Sequence, residues 1–287
     1  VMLDGDVGSS TRADIFEEAH GDRFFQMGIA EQNMLGVAAG MASVGLIPFV
    51  STFACFAVAR PLDTIRVLIA QPNLPVKITG GYAGLLAGMT GKTHLMFDDM
   101  SIMRAMPNMT VVSPADDVET AQALAALVDD DGPAYIRLTR QASPRIFSGD
   151  YRFEIGNSGV LRDGSDVTLI STGTQAVRVF EAAEILADKG IDAHVLLVPT
   201  FKPIDQACIV AAAEKTGFVI TIEEHTTIGG LGGAVAEVLA EHAPTPMRFH
   251  GILDTYGESG PDAALLEKYR LSYGQVAAVI EEHLASR

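Results

Sequence analysis

"EQNMLGVAAGMASV" (31–44) runs into "IPFVSTF" (47–53), and this pair of segments decides the fold class. The first is small and apolar after its one acid and has helical patterning. The second is a short apolar run with β-branched residues, the composition of a strand buried on both faces. The alternation continues outward. "PVKITG" (75–80), "MTVVSP" (109–114) and "AYIRLT" (134–139) read as further strands, with helices in "RPLDTIRVLIAQ" (60–71), "DDMSIMRAM" (98–106) and "DDVETAQALAALVDD" (116–130). Asp116, with Glu119 three residues on, has the capping-box pattern of a helix start. Strand–helix alternation of this kind means a largely parallel sheet flanked by helices, the α/β class.

The pattern breaks over 141–166, which is rich in turn residues and reads as a linker with a short β-ribbon. A second α/β series follows, with strands in 166–172, 192–199, 218–224 and 247–253 and amphipathic helices in 174–190 and 231–242. Ser272 can cap a last helix. The expected organisation is two successive α/β domains, 1–145 and 161–287, joined by a linker at 146–160.

Composition bounds the function. The chain has 287 residues, 48% apolar and 20% charged, as expected of a globular protein. A net charge of −16 without Lys/Arg clusters argues against nucleic-acid binding. No segment has the ~18 continuous apolar residues that a membrane span needs. Cys55 and Cys208 lie far apart in apolar runs, which fits a reducing, cytoplasmic setting.

Several motifs invite a chemical reading. "IGGLGGAVAEVL" (228–239) follows a strand and opens a helix, but its glycines miss the G-x-G-x-x-G spacing of a dinucleotide loop. Close helix–sheet packing accounts for them better. "EEH" (223–225) cannot gather on one metal, because adjacent strand residues face opposite ways. "GGYAGLLAGMTGKTH" (80–94) is more informative. It holds five glycines in fifteen residues at the carboxyl end of a strand, where open α/β sheets place ligands. Its Tyr82, Leu85, Leu86 and Met89 argue against a floppy connection. Glu31 in "GIAEQNM" (28–34) is a carboxylate at the head of an uncharged segment, which calls for either a distant ion pair or a chemical use.

These pieces in this order resemble one family: the carboxyl-terminal half of transketolase, in the form split into two chains. The match rests on "DGDVGSST" (4–11), "DRFFQMGIAEQNMLGVAAGMA" (22–42), "IPFVSTFACF" (47–56), "DTIR" (63–66) and "GKTHLMFDDMSIMRAMPNMTVVSPAD" (91–116). It continues in "GPAYIRLTRQ" (132–141), "VITIEEHTTIGGLGGAVAEVL" (219–239) and "YGESG" (256–260). The resemblance implies a thiamine diphosphate enzyme that transfers a two-carbon ketol unit from a ketose to an aldose. It implies that Glu31 hydrogen-bonds N1′ of the cofactor's aminopyrimidine, favouring the imino tautomer that deprotonates thiazolium C2. Apolar surroundings would keep such an acid able to share a proton. Ile29, Phe53 and Phe56 resemble the wall around the pyrimidine, and Asp6 an acid near the thiazolium. His94 resembles a histidine that binds substrate hydroxyls and assists proton transfer. Ser10 and Arg140 resemble the pair that holds the substrate's terminal phosphate.

Three positions depart from the family. Tyr82 stands where a histidine precedes "AGL", Thr90 where an aspartate precedes the "GxTH" run, and Leu95 where glutamine follows the histidine. Tyr82 and Thr90 fall where the family reads substrate hydroxyls, so a non-standard ketose, or one ending in another anion such as a sulfonate, is an open reading. The "GDG…N" segment that binds the diphosphate and Mg²⁺ does not occur in this sequence. The resemblance therefore implies a separate partner chain carrying it, and an α₂β₂ assembly. Other readings are a deoxyxylulose-phosphate synthase-like subunit, a 2-oxo-acid dehydrogenase beta-like subunit, and a non-catalytic interaction subunit.

Overall fold

A computed structural model of the chain describes residues 1–286. Its first six strands are β1 (Met2–Asp4), β2 (Phe24–Gln26), β3 (Phe49–Phe53), β4 (Lys77–Gly81), β5 (Thr110–Val112) and β6 (Ala134–Arg137). The remaining six are β7 (Gly159–Arg162), β8 (Val167–Ser171), β9 (Ala193–Leu197), β10 (Thr200–Lys202), β11 (Val219–Thr226) and β12 (Met247–Ile252). They form two sheets flanked by helices, in the orders β10-β5-β6-β4-β3-β1-β2 and β12-β11-β8-β9-β7. Pairing is parallel except at one edge of each sheet, where β10 runs against β5 and β7 against β9. The α/β reading of the sequence holds.

Burial explains why the inner strands were visible in the sequence. β4, β6, β8 and β9 are buried at every position, so both faces of each sheet need apolar cover. The helix Glu31–Ser43 supplies part of it through Met34, Leu35, Ala38, Ala39 and Ala42, a stripe of helical spacing. Asp116 caps the helix Asp117–Val128 by accepting the Glu119 N–H at 2.9 Å. The Glu119 carboxylate reaches back to the Ala115 N–H, one residue before the cap. Ser272 likewise caps Tyr273–Ala285 by accepting from Gln275 N–H. Of the helix expected at 60–71, Leu62–Thr64 is α-helical and Ile65–Ala70 is π-helical, with Gln71 N–H donating to the Arg66 carbonyl five residues back.

Chain order within the first sheet fixes where a ligand can sit. From β1 the chain goes to β2 on one side, then returns to β3 on the other, so a crevice opens beyond the carboxyl ends of β1 and β3. The turn after β1 starts at Gly5, the helix after β3 at Ala54, and the Gly-rich loop after β4 at Tyr82.

Candidate active site

The turn after β1 is shaped by a buried acid. Asp4 Oδ2 accepts the N–H groups of Val7 and Gly8, each at 3.1 Å, and the Gln26 side chain at 2.9 Å. This folds residues 5–11 back over the sheet. Asp6 there is exposed with φ 65°, and its N–H donates to Gln26 Oε1. Ser10 sits in the helical turn Gly8–Thr11.

Glu31 begins the helix that follows β2 and is 3% exposed. Arg60, half-exposed at the end of the helix Ala54–Ala59, donates to Glu31 Oε1 at 2.7 Å. Among the described residues no second donor reaches this carboxylate. A groove of about 880 Å³ runs past it, lined by Ile29, Arg60, Thr64 and Leu68. Ile29 is 74% exposed there, and Val67 and Leu68 are also exposed. An acid with an open lone pair beside apolar surface suits the edge of a heteroaromatic ring that presents a polar nitrogen.

From Arg60 a chain of ring contacts leads inward. Its guanidinium lies 4.4 Å over the Phe56 ring, and Phe56 stacks on Phe53 at 5.8 Å. Phe53 stacks on Tyr82 at 4.0 Å, and His94 meets Phe56 and Phe53 edge-on at 5.3 and 6.1 Å. Tyr82 has φ 58°, a strained conformation for an aromatic residue and one that concentrates at functional sites. Arg140 Nε donates to the Tyr82 hydroxyl at 3.3 Å, and its guanidinium lies 5.6 Å from the Tyr82 ring. Ser10, Tyr82 and Arg140 share the wall of a cavity of about 690 Å³. Cys55, between the two phenylalanines, is pushed up to about 11 by burial, so it is a thiol rather than a nucleophile at neutral pH.

The structure thus links Glu31, Phe56, Phe53, His94, Tyr82 and Arg140 by contact, and gathers Ser10 to the Arg140 end. Ile29 sits at the Glu31 end. Thr90 does not join the line through its hydroxyl, which donates to the Ala87 carbonyl at 2.5 Å and closes its own turn. Among the described residues Asp6 is engaged through its main chain, its N–H donating to Gln26 Oε1. Met89 is 72% exposed, unlike the buried Tyr82, Leu85 and Leu86. Arg60 and Gln26 escaped the sequence reading. Arg60 had a signal: it lies four residues from Phe56, on the same face of one helix. Among the described residues no three His, Cys, Asp or Glu side chains converge as a metal site.

Two family descriptions match this chain, the transketolase pyrimidine-binding domain over residues 1–145 and the transketolase C-terminal domain over 156–276. The chain belongs to the transketolase family. It is 40% identical to the 6-deoxy-6-sulfo-D-fructose transketolase subunit SqwH of Clostridium sp. (strain MSTE9), over 98% of this chain and 88% of that protein. It is 38% identical to an apulose-4-phosphate transketolase subunit of Phocaeicola vulgatus, over 92% and 84%. A solved structure described as a split gene transketolase, an inactive beta4 tetramer, shares 46% identity and superposes with a TM-score of 0.92, over 99% of this chain and 92% of that one. An acceptor carboxylate, exposed Ile29 and half-buried Phe56 fit an aminopyrimidine ring.

Proposed function

We propose that this chain is the pyrimidine-binding and C-terminal subunit of a two-chain, thiamine diphosphate-dependent transketolase that moves a two-carbon ketol unit from a ketose to an aldose. The observation that carries the reading is the unbroken run of contacts from Glu31 through Phe56, Phe53 and His94 to Tyr82 and Arg140. It spaces an acid, an aromatic wall, an imidazole and a guanidinium along one line of side-chain contacts, as a ketose with a terminal anion requires.

Thiamine diphosphate supplies the electron sink for breaking and forming a carbon–carbon bond beside a carbonyl. Glu31 accepts a hydrogen bond from the aminopyrimidine edge, and Arg60 holds the carboxylate's other oxygen. Ile29 and Phe56 pack on the ring and exclude water. His94 binds sugar hydroxyls and relays a proton. Arg140 and Ser10 would hold the substrate's terminal anion, and Asp6 would be the acid on the thiazolium side. Tyr82 accepts from Arg140 Nε, which leaves the phenolic proton free to donate to that anion. A tyrosine in place of a histidine fits phosphorylated and sulfonated ketoses alike. The diphosphate and Mg²⁺ sit on a separate chain, a reading supported by the relatives' being named as subunits and by the open Glu31 groove with its exposed Ile29 and Leu68. We place the assembly at α₂β₂, in the cytoplasm. Among the described residues no helix is long and apolar enough to cross a membrane.

The test is to purify the chain alone and together with a candidate chain carrying the diphosphate-binding domain. Thiamine diphosphate binding by calorimetry, and ketol transfer from phosphorylated and sulfonated ketoses, are expected only from the pair. Ketol transfer by this chain alone would overturn the shared-site reading. Failure of every such pair to bind the cofactor would overturn the enzyme reading.

A further inference from the structure

Two motifs of the second half, "EEH" (223–225) and "YGESG" (256–260), have no part in the site described above. Both meet the loop that carries Tyr82 and His94. Glu224 on β11 turns its carboxylate toward the first half, where Oε1 accepts the Leu85 N–H at 2.6 Å. Arg178 donates to its Oε2, and the Glu224 carbonyl accepts from Arg137 at 3.0 Å. The approach is so close that Gly84, at φ 80°, has no room for a side chain: a Cβ there would overlap Glu224 Oε1.

The other end of the loop is held by the "YGESG" turn and the helix Asp262–Lys268. Asp262 Oδ1 accepts the Gly88 N–H at 2.9 Å, and Gly260 N–H donates to the Gly88 carbonyl at 3.1 Å. A Cβ on Gly88 would overlap Leu265, and one on Gly257 would press on Leu95. Gly88 is in turn connected to the main chain of His94. Gly91 N–H donates to the Gly88 carbonyl at 3.2 Å, and His94 N–H to the Gly91 carbonyl at 3.0 Å. The apolar residues of the loop follow the same allegiance. Leu85, Ala87, Leu95 and Phe97 belong to one buried cluster with Val167, Leu169 and Ile220 of the second sheet.

We propose that Glu224 and Asp262 are positioning residues, and that the second domain serves the reaction by clamping the loop between Gly84 and Gly91. Glu224 fixes the Tyr82 end and Asp262 the His94 end, which keeps both side chains against Phe53 and Phe56. The proposal rests on the reading of Tyr82 and His94 as substrate contacts. A loop with five glycines has many conformations to lose, and anchors from a rigid sheet remove that cost before substrate arrives.

The experiment compares Asp262→Ala, Asp262→Asn and Glu224→Gln in the full chain. It uses amide hydrogen exchange by mass spectrometry, the His94 ring-proton shift by NMR, and kinetics with the partner chain. Asp262→Ala is expected to speed exchange across 85–91 about tenfold or more, with the 167–171 and 193–197 strands unchanged. The ring-current shift of His94 should fall, and KM for the ketose should rise about tenfold with kcat changed less than about threefold. Asp262→Asn keeps an acceptor oxygen for Gly88 and should retain most of the protection, whereas Glu224→Gln can accept from Leu85 N–H or from Arg178 but not both, and should speed exchange at the 83–86 end of the loop. Unchanged loop exchange and an unchanged His94 shift in Asp262→Ala would overturn the clamp. So would exchange that rises equally in the second sheet. A released loop and shifted His94 with unaltered kinetics would uphold the clamp but remove His94 from substrate contact. Absence of ketol transfer in the wild-type pair would break the functional reading alone, because exchange and shift judge the clamp without it.

Discussion

Glu31 and Glu224 are buried to nearly the same degree, 3% and 2% exposed, yet they sit in opposite situations. Glu224 is saturated: the Leu85 N–H and Arg178 take its two oxygens, deep between the two halves of the chain. Glu31 has one partner, half-exposed Arg60, and faces a groove edged by exposed Ile29 and Leu68. A buried carboxylate whose hydrogen bonds are complete holds structure together. One left incomplete beside uncovered apolar surface is waiting for a ligand or another chain. The chain completes the hydrogen bonding at the Tyr82–His94 loop itself and leaves the Glu31 end open.

The sharpest way to break that contrast is Glu31→Gln. In the presence of the partner chain, ketol transfer should drop by about a thousandfold or more, as expected when a positioned acid is removed. The thermal midpoint should hardly move, since no internal structure depends on this carboxylate beyond one ion pair. Near-normal turnover in that variant would sink the assignment of Glu31.

Arg140→Lys should act next most strongly, raising KM for an anionic ketose about 10- to 100-fold, because the ammonium loses both the planar fork and the contact with the Tyr82 ring. Tyr82→Phe removes only the hydroxyl that accepts from Arg140 and should cost about two- to tenfold in KM. A donor screen on Tyr82→Phe that shifts preference between phosphate and sulfonate termini would sharpen the role of the phenol; equal losses on neutral and anionic sugars would remove it from anion binding. Arg60→Met should lower kcat/KM about tenfold by freeing Glu31, and should lower the unfolding free energy by about 1–3 kcal/mol, because a buried carboxylate loses its donor. A larger loss of stability would mean that Arg60 is structural and that Glu31, like Glu224, holds the fold together.

Most of the framework was legible because it rests on local rules. The inner strands are continuous apolar runs, and the caps at Asp116 and Ser272 are set within three residues. β1, β2 and β10 were not: each has three residues and, unlike the equally short β5 with its Val111–Val112 pair, no adjacent β-branched residues to mark it. β10 also belongs to the first sheet although its sequence lies in the second half, a pairing with Val111 and Val112 that no local pattern announces. The π-helical stretch Ile65–Ala70 is lost for a similar reason: over six residues its period and that of an α-helix place nearly the same side chains inward. At the site, Glu31, Phe53, Phe56 and His94 stood out by resemblance and by chemical type. The Arg60–Glu31 pair spans 29 residues and the Glu224–Leu85 bond 139, and sequence alone holds no signal for who meets whom at such separations.

A third buried carboxylate provides the smallest effect and a control remote from ligand chemistry. Glu119 accepts from the Tyr151 hydroxyl and from Ala115 N–H, tying the segment around Tyr151 to the helix Asp117–Val128. Burial pushes its carboxyl up to about 7 from an ordinary 4.5, the neighbouring Asp116 adds to this, and the two hydrogen bonds oppose it. Between those two values the folded chain holds a proton that the unfolded chain has released, so stability falls as pH rises. The contribution is full below about 4.5 and lost as pH climbs through about 7. Glu223, also pushed up to about 7 by burial, has the same sign, whereas His225, pushed down to about 4 by burial, has the opposite one below 6.5. Both remain in Glu119→Gln, so the difference between wild type and variant isolates Glu119. Urea midpoints measured from about pH 4.5 to 8.5 should show the wild type losing ground to the variant up to about pH 7 and running parallel beyond it. A gap that stays constant, or that widens in favour of the wild type as pH rises, would mean the Glu119 carboxylate is ionised in the folded chain and accepts both hydrogen bonds as a charge.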